Sequence, residues 1–126
     1  GMPHVPRRMY PTKQIAVAQM RIMLEQARAM FLQSVREARV DPDADARLRL
    51  LASHHTVMEN ANALCALAIR TCGGASMLKS MPLERLYRDS RCGSLMLPWT
   101  AELCLDQLGR DSLYDSSEGD EAIEQL

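Results

Sequence analysis

The sequence predicts an all-α protein, an antiparallel helical bundle of two long and two short helices. Aromatic residues make up only 4% of the 126 residues, whereas there are 9 Met. A core of Leu, Ala and Met suits packed helices better than a β-sandwich. Two long stretches carry apolar residues at helical spacing without Gly or Pro. Pro and Gly stand between those stretches, where helices are expected to begin and end.

The length is that of one domain, which we divide into three segments. Residues 1–11 are rich in Pro and predict an extended lead-in, since each Pro disfavours helix at the residue before it. Residues 12–110 form the predicted helical bundle domain. Residues 111–126 contain six acidic residues and no Lys or Arg, which predicts an acidic, disordered tail.

The first predicted helix runs from Lys13 to Val40, with Thr12 as a candidate cap. Two lines of apolar residues at helical spacing mark a wide apolar surface. The first line is Ala16, Met20, Met23, Ala27 and Met30, and the second is Val17, Leu24, Phe31 and Val35. One neighbouring helix cannot cover both lines, so we expect the second line to hold a homodimer together.

The second predicted helix begins at Asp41-Pro42-Asp43, with Asp41 as N-cap and Pro42 as first helical residue. It ends near Cys72, where Gly73 can adopt the left-handed conformation that terminates helices. Its stripe is Ala44, Leu48, Leu51, His55, Met58, Asn62, Cys65, Ile69 and Cys72. A turn this short between two long helices makes them antiparallel.

Two short helices are expected to follow. Pro82 suits the first position of a helix over residues 82–91, which Gly93 then interrupts. The last predicted helix covers residues 98–108 and is closed by Gly109.

Composition argues against several classes of function. The net charge of −1 gives no reason to expect a nucleic-acid partner. No apolar run is long enough for a membrane-spanning helix, so we expect a cytoplasmic protein with no membrane partner. The four Cys include no C-x-x-C pair, which predicts free thiols in a reducing compartment and no metal site.

The polar residues of the second helix each have two interpretations. His54 and His55 point about 100° apart on a helix, so they cannot chelate one metal ion together. We favour His55 as a buried, hydrogen-bonded core residue, and Asn62 likewise, with a ligand contact as the alternative for Asn62. Cys65 and Cys72 share an apolar face and predict small core residues rather than catalytic thiols, which need a neighbouring base.

The helix that begins at Pro82 is rich in fixed charge. Glu84 and Arg88 are i,i+4 partners, as are Arg85 and Asp89. One interpretation is a solvated face of ion pairs, each worth about a few tenths of a kcal/mol. The other is an inter-subunit or anion-facing cluster beside the glycine turn, where exposed backbone N–H groups and Arg side chains suit a pyrophosphate.

Residues 82–91 read Pro-Leu-Glu-Arg-Leu-Tyr-Arg-Asp-Ser-Arg and resemble the Pro-x-Glu-Arg-x-x-Arg-Asp-x-Arg signature of the acyl-CoA dehydrogenases. Gly73-Gly74 falls at the place of that family's Gln-x-x-Gly-Gly turn, and the order of helices matches over residues 12–110. The resemblance implies the C-terminal helical domain of an FAD-dependent flavoprotein that carries out α,β-dehydrogenation of acyl-CoA thioesters in fatty acid metabolism. It also implies dimer or tetramer contacts through this domain.

Three departures from the family pattern qualify the resemblance. Arg70 stands where the family has the Gln that reaches the FAD of a neighbouring subunit. Leu97 stands where many members carry the catalytic Glu, and Leu cannot remove a proton, so no catalytic residue is assigned. The family's earlier domains and first bundle helix have no counterpart here, which indicates a fragment, a split subunit or a truncated relative, with the missing dehydrogenase domains as partners. The resemblance implies cofactor contacts at Arg70, Gly73, Gly74 and Thr100.

Two hypotheses of function follow from these observations. In the first, the chain contributes oligomerisation and an edge of the flavin site to an acyl-CoA dehydrogenase-like oxidoreductase, and is not active alone. In the alternative, it is a non-catalytic helical interaction subunit of a split or heteromeric flavoprotein, as the Leu97 position indicates. A generic four-helix adaptor leaves the charged signature unexplained.

Overall fold

The computed structural model describes residues 5–114, which form four α-helices and two 3₁₀ turns and contain no strand. The helices are α1 (Pro11–Glu37), α2 (Ala44–Cys72), α3 (Pro82–Leu95) and α4 (Ala101–Leu113). The 3₁₀ turns are Arg7–Met9 and Gly74–Met77. The predicted all-α class, with two long and two short helices, is confirmed.

Helix α2 lies at the centre and packs against each of the other three helices. Helix α1 runs antiparallel to it. At one end of this hairpin the Lys13 ammonium donates a hydrogen bond to the Thr71 carbonyl, and at the other Arg49 Nε lies 2.8 Å from Glu37 Oε2. Midway, the Asn60 amide donates to the backbone of α1 at 3.1 Å. These three contacts fix the register of the hairpin.

The covered face of α1 is the one that its first apolar line predicted. The residues of that line are buried or half-buried: Ala16, Met20, Met23, Ala27 and Met30. The second line stays open to solvent: Val17 (57% exposed), Leu24 (40%), Phe31 (54%) and Val35 (57%).

The interior of the described part is small. Its buried apolar residues are Ala16, Leu51 and Cys104. Its buried polar residues are Ser53, Asn62, Ser76 and Ser94. Large apolar side chains remain exposed on several helices.

Helix α1 begins and ends earlier than its sequence pattern predicted. Thr12 is not the cap, because Tyr10 takes the N-cap position and Pro11 the first helical position, where its missing N–H costs nothing. The helix ends at Glu37 rather than Val40. The Glu37 carboxylate accepts a hydrogen bond from Arg49 of α2.

The start of α2 corrects the prediction for the Asp-Pro-Asp segment. Asp43, not Asp41, is the N-cap, and its carboxylate accepts a hydrogen bond from the Ala46 N–H at 2.8 Å. Asp43 stands three residues before Ala46, the spacing at which an N-cap carboxylate reaches the third helical N–H. Pro42 consequently precedes the helix instead of opening it.

Helix α3 begins at Pro82 as predicted, but it continues to Leu95 instead of ending before Gly93. A Cβ placed at Gly93 would collide with the Met58 side chain of α2. Gly93 therefore permits the close approach of α3 to α2, a tertiary role that its sequence neighbourhood does not distinguish from a helix stop.

Helix α4 begins at Ala101, three residues after Pro98, the predicted first residue. Thr100 is its N-cap. It also continues past Gly109 to Leu113. Side-chain pairs four residues apart span the glycine, among them Arg110 and Asp106 at 3.0 Å, and such pairs support a helical turn that one glycine weakens.

The predicted division of the chain is affected at both ends of the bundle. Position 11 already belongs to α1, and residues 111–113 of the predicted tail belong to α4. The remaining tail, 115–126, lies outside the described residues, and its disorder stays a prediction.

Candidate cofactor-contact site

The turn after α2 has a backbone that favours glycine. Gly73 adopts φ 89° and ψ −174°, and its N–H donates to the Ile69 carbonyl at 2.8 Å to close the last turn of the helix. Its own carbonyl then accepts from the Ser76 N–H at 3.0 Å. Gly73 thus ends the helix with a positive φ, but its ψ lies outside the left-handed helical region that the sequence predicted, and any side chain there would be strained.

Ser76 holds the 3₁₀ turn against the end of α2. It is only 2% exposed, and its hydroxyl donates to the Gly73 carbonyl at 2.6 Å. Sequence reasoning missed this residue. The available signal was a small hydroxyl side chain three residues after a helix-terminating glycine, a spacing at which Ser bonds to local backbone.

Arg70 is exposed and lies one helical turn before Gly73. It borders a cleft of about 370 Å³ between the start of α1 and the end of α2. The residues that line this cleft are Thr12, Lys13, Ile15, Ala16, Gln19, Leu67, Arg70 and Thr71. No acidic side chain is among them, so the two cations of the cleft give it a positive potential.

The surface around this turn is open and cationic. No atom lies within 4 Å of a Cβ placed on Gly73 or Gly74, and within residues 5–114 no carboxylate forms an ion pair with Arg70. A guanidinium binds phosphate or carboxylate oxygens through paired hydrogen bonds. The arrangement can therefore accept an anionic group that approaches the backbone closely.

Thr100 lies far from this turn. Its hydroxyl caps α4 by accepting from the Leu103 N–H at 3.2 Å. The preceding residue, Trp99, accepts a hydrogen bond from His54 Nε2 at 3.0 Å through its carbonyl. His54 and Arg70 are 16 positions apart along α2, about 24 Å. Within one chain, Thr100 therefore does not join the group at the glycine turn, and its role as a cofactor contact stays a prediction.

Leu97 stands in the connection between α3 and α4 and is 79% exposed. Its side chain offers no proton acceptor. The next residue is Pro98, joined to it through a cis peptide bond.

The signature helix turns one of its arginines inward. Arg91 Nη2 lies 2.5 Å from Glu59 Oε1, and Arg91 Nη1 donates to Asn62 Oδ1 at 3.2 Å. The Asn62 amide in turn donates to the Tyr87 carbonyl and the Ser90 hydroxyl, each at 3.2 Å. Asn62 is buried and satisfied, as predicted, and the network joins α2 to α3.

Glu59 is the acidic member of this network. The Ser94 hydroxyl lies close enough to lower the pKa of the Glu59 carboxyl, although its geometry falls short of a regular hydrogen bond. The Arg91 guanidinium lowers the same pKa further, against the opposing effect of desolvation. The carboxylate is thus held ionised between the two helices.

The other charges of α3 form a looser, solvated face. Arg88 lies 3.8 Å from Glu84 and 3.9 Å from Asp89. The predicted pair between Arg85 and Asp89 does not form in the described structure, because Asp89 contacts Arg88 instead. Such exposed contacts are weak, so this surface supports the solvated interpretation of these residues.

The prediction that His55 is a buried, hydrogen-bonded core residue is wrong. His55 is half-exposed rather than buried, and the described contacts give it no hydrogen bond; it lies one turn before the Glu59 carboxylate. His54 instead bonds to the segment that leads into α4. The two side chains point about 100° apart on α2, and only tertiary packing decides which one bonds.

Neither metal nor disulfide chemistry is built into the described part of the chain. All four cysteines are free, and no three His, Cys, Asp or Glu side chains converge on a possible metal position among residues 5–114. Over the same residues, no helix has the length and apolar character needed to cross a membrane.

A bundle centred on one long helix, with a glycine turn at its end and a charged helix after it, defines a helical domain able to border an anionic ligand. The family model for the acyl-CoA dehydrogenase C-terminal domain matches residues 4–95. The chain therefore belongs to this family. No curated protein and no solved structure matches it significantly. Arg70, Gly73 and Gly74 fall inside the matched range, whereas Leu97 and Thr100 fall outside it.

Proposed function

We propose that the chain acts as the C-terminal domain of an FAD-dependent acyl-CoA dehydrogenase-like oxidoreductase, where it contributes oligomerisation and one edge of the flavin site. The observation that supports this proposal is the glycine turn after α2. Gly73 holds a conformation that favours glycine, open space adjoins Gly74, and Arg70 projects nearby without an ion pair in the described part. These residues lie within the family match.

The residues at this turn suit the pyrophosphate of FAD rather than its flavin ring. Arg70 supplies a guanidinium fork, and Lys13 adds a second positive charge on the same cleft. The first turn of α1 lies at this end of the hairpin, and the positive end of its helix dipole favours an anion. When bound, FAD supplies the oxidising power for acyl-CoA dehydrogenation, while these residues bind and orient it.

We further propose that the chain is not active alone. The position of the expected base holds Leu97, which is exposed and has no titratable group. Acyl-CoA oxidation in this scheme takes place where the remaining dehydrogenase domains meet this edge, and these domains, together with a second copy of the chain, are the proposed partners.

The test is backbone NMR of the isotope-labelled chain titrated with FAD, ADP and riboflavin at millimolar concentration. We expect amide shifts at Gly73 and Gly74 with FAD and ADP but not with riboflavin, which has no phosphate. Arg70→Ala should abolish these shifts. Arg85→Ala is the matched control, since Arg85 is also exposed but belongs to α3. Equal shifts in the wild type and in Arg70→Ala, or none at the turn, would contradict the proposal.

The second candidate is a non-catalytic interaction subunit of a split or heteromeric flavoprotein. The observation that favours it is again Leu97 at the position of the base. The DNA next to the coding segment separates the two candidates. A continuous reading frame that encodes the other dehydrogenase domains supports the first, whereas a separate neighbouring frame for those domains supports the second.

A further inference from the structure

The charge of the chain is polarised along the bundle. The end where α1 begins and α2 ends comprises residues 5–24 and 60–90, because the Asn60 and Asn62 amides bond to α1 and α3 at its border. This cationic end holds eight Lys or Arg against two carboxylates. The remainder of the chain holds seven Lys or Arg against fourteen Asp or Glu. A nearly neutral total therefore conceals one strongly positive end.

Most cations of the cationic end have no acidic partner. Its two carboxylates, Glu84 and Asp89, both contact Arg88, and Arg21 pairs with Glu25 just outside. Within residues 5–114 the other six cations form no ion pair: Arg7, Arg8, Lys13, Arg70, Lys79 and Arg85. Unpaired charges of one sign produce a positive potential that attracts an anionic surface.

Two loops at the tip of the cationic end alternate cations with apolar side chains. The first precedes α1 and reads Arg7-Arg8-Met9-Tyr10, and the second precedes α3 and reads Met77-Leu78-Lys79-Ser80-Met81. Both lie at the same end, since Lys13 after the first loop bonds to Thr71 before the second. The five apolar or aromatic side chains of these loops are between 44% and 58% exposed. The tip therefore presents apolar as well as cationic side chains to solvent.

We propose that the cationic end binds the surface of an anionic lipid bilayer. Its Arg and Lys side chains contact the lipid head groups, and the apolar side chains of the two loops enter the interfacial layer beneath them. A bilayer has an anionic plane above an apolar layer, so it complements both kinds of side chain. Tyr10 suits this depth, because Tyr side chains concentrate at membrane–water interfaces. The acidic remainder of the chain faces away from the anionic surface.

Other anionic partners complement only part of this surface. A nucleic acid would pair its phosphates with the cations, but it would leave the exposed Met and Leu side chains in water. The sequence predicts no membrane partner because no apolar run could span a bilayer, but a contact at the surface needs no spanning helix. This contact goes beyond the proposed function, and its two loops contain none of the residues assigned to the flavin edge.

Co-sedimentation of the full chain with vesicles tests the electrostatic part. We expect binding to vesicles of phosphatidylcholine mixed with phosphatidylserine but not to phosphatidylcholine alone. Raising the salt from about 0.1 M to about 1 M should release the chain. Arg7→Gln combined with Arg8→Gln should weaken binding about thirtyfold, since each cation near an anionic membrane contributes to affinity. Arg7→Lys combined with Arg8→Lys should retain it.

The matched control removes two cations from the opposite end of α1. Arg36 and Arg39 are exposed and form no ion pair in the described part of the chain. Arg36→Gln combined with Arg39→Gln should leave the affinity for the mixed vesicles almost unchanged. Absence of binding to these vesicles, or equal losses in the two Gln double variants, would overturn the bilayer contact.

Tryptophan fluorescence tests the insertion of the apolar side chains. Trp99, the sole Trp, bonds to His54 outside the cationic end, so its emission should not change with the mixed vesicles. Leu78→Trp should add a component that shifts to the blue and is quenched by brominated lipid. Leu97→Trp is the control, because Leu97 is exposed but lies outside this end. Unchanged Leu78→Trp emission on vesicles, or equally tight binding to duplex RNA or polyglutamate, would overturn the bilayer contact even if the flavin titration succeeds.

Discussion

The two glycines of the turn after α2 have different backbone conformations. Gly73 has φ 89°, whereas Gly74 lies in a 3₁₀ turn without a positive φ. Gly73→Ala should therefore lower the free energy of unfolding by about 1–3 kcal/mol, the cost of a conformation that only glycine adopts readily. Gly74→Ala should raise it by about 0.4–1 kcal/mol by restricting the unfolded chain. Urea denaturation of both variants checks this, and effects of the same sign would contradict it.

Gly93 differs from Gly73 in the reason that a side chain does not fit. Its φ is ordinary, but the Met58 side chain occupies the place of a Cβ. Gly93→Ala gains about 1 kcal/mol of helix propensity but forces the end of the flexible Met58 side chain aside, at about 1 kcal/mol, the low end of overpacking costs. We expect the two effects nearly to cancel. Combining it with Met58→Ala should recover about 1–2 kcal/mol relative to additivity. A double-mutant cycle in urea measures this coupling, and strict additivity would show that the two residues do not interact.

Among single residues, the sequence predicted those that act on the backbone next to them. Gly73 and Pro82 were identified because conformational restriction acts within one or two residues. Arg91 was predicted only as part of a charged helix, since its partners, Glu59 and Asn62, lie on another helix. Ion pairs between distant segments depend on the packing of α2 and α3, which spacing within one helix does not reveal.

At the scale of the element, the start of α2 depends on one cap. The Asp43 carboxylate accepts from the Ala46 N–H, whereas Asp41 is exposed and outside the helix. Asp43→Ala should lower the free energy of unfolding by about 1 kcal/mol, the usual cost of losing an N-cap. Asp41→Ala serves as the control and should change it by less than about 0.5 kcal/mol. Thermal unfolding at neutral pH distinguishes the two, and a larger effect at Asp41 would restore the cap expected from the sequence.

The interface between α2 and α3 should depend on pH through Glu59. The pKa of this carboxyl is lowered by the Ser94 hydroxyl and by Arg91, so the folded state binds its proton less tightly than the unfolded state. Its contribution is fully present above pH 4.5, the ordinary value, and is lost as the pH falls through the lower folded-state pKa.

The measurement is the difference in unfolding free energy between the wild type and Glu59→Gln from pH 7 to pH 3. The wild type should be more stable at pH 7, and the difference should close below pH 4.5. Glu25→Gln, in a solvated pair on α1, should have an effect below about 1 kcal/mol at neutral pH. A Glu59 difference that persists unchanged at pH 3 would contradict an ionic origin.

The existence and type of all four helices could be predicted, but several boundaries could not. Apolar periodicity identifies a helix because it reports which face is covered, and it identified the covered face of α1 correctly. Boundaries depend on competing caps of similar strength, as at Asp41 and Asp43, or on contacts that sustain a helix through glycine, as at Gly93 and Gly109. The sequence contains both possibilities, and tertiary packing selects one.

At the scale of the whole molecule, the bundle is organised around α2, which every other helix contacts. Its interior is correspondingly thin, with few fully buried apolar side chains in the described part. Two sets of polar contacts add to the packing between the helices. The Glu59–Arg91–Asn62 network joins α2 to α3, and the Lys13–Thr71 hydrogen bond joins α1 to α2 at the open end of the hairpin. A single copy therefore has little stability to spare, and burial of further apolar surface should have a large effect.

That expectation leads to a prediction about stability and protein concentration. If two copies unfold together, a tenfold increase in concentration adds about 1.4 kcal/mol per mole of dimer, which should raise Tm by about 3 °C for chains of this size. Differential scanning calorimetry from about ten micromolar to about one millimolar, a range over which weakly associating copies change from monomer to dimer, measures the shift. Phe31→Asp should remove the dependence while Leu32→Asp retains it, since Phe31 belongs to the second apolar line of α1 and Leu32 does not. A Tm independent of concentration in the wild type would show that the thin core of one copy is sufficient and that the second apolar line of α1 does not contribute to folding stability.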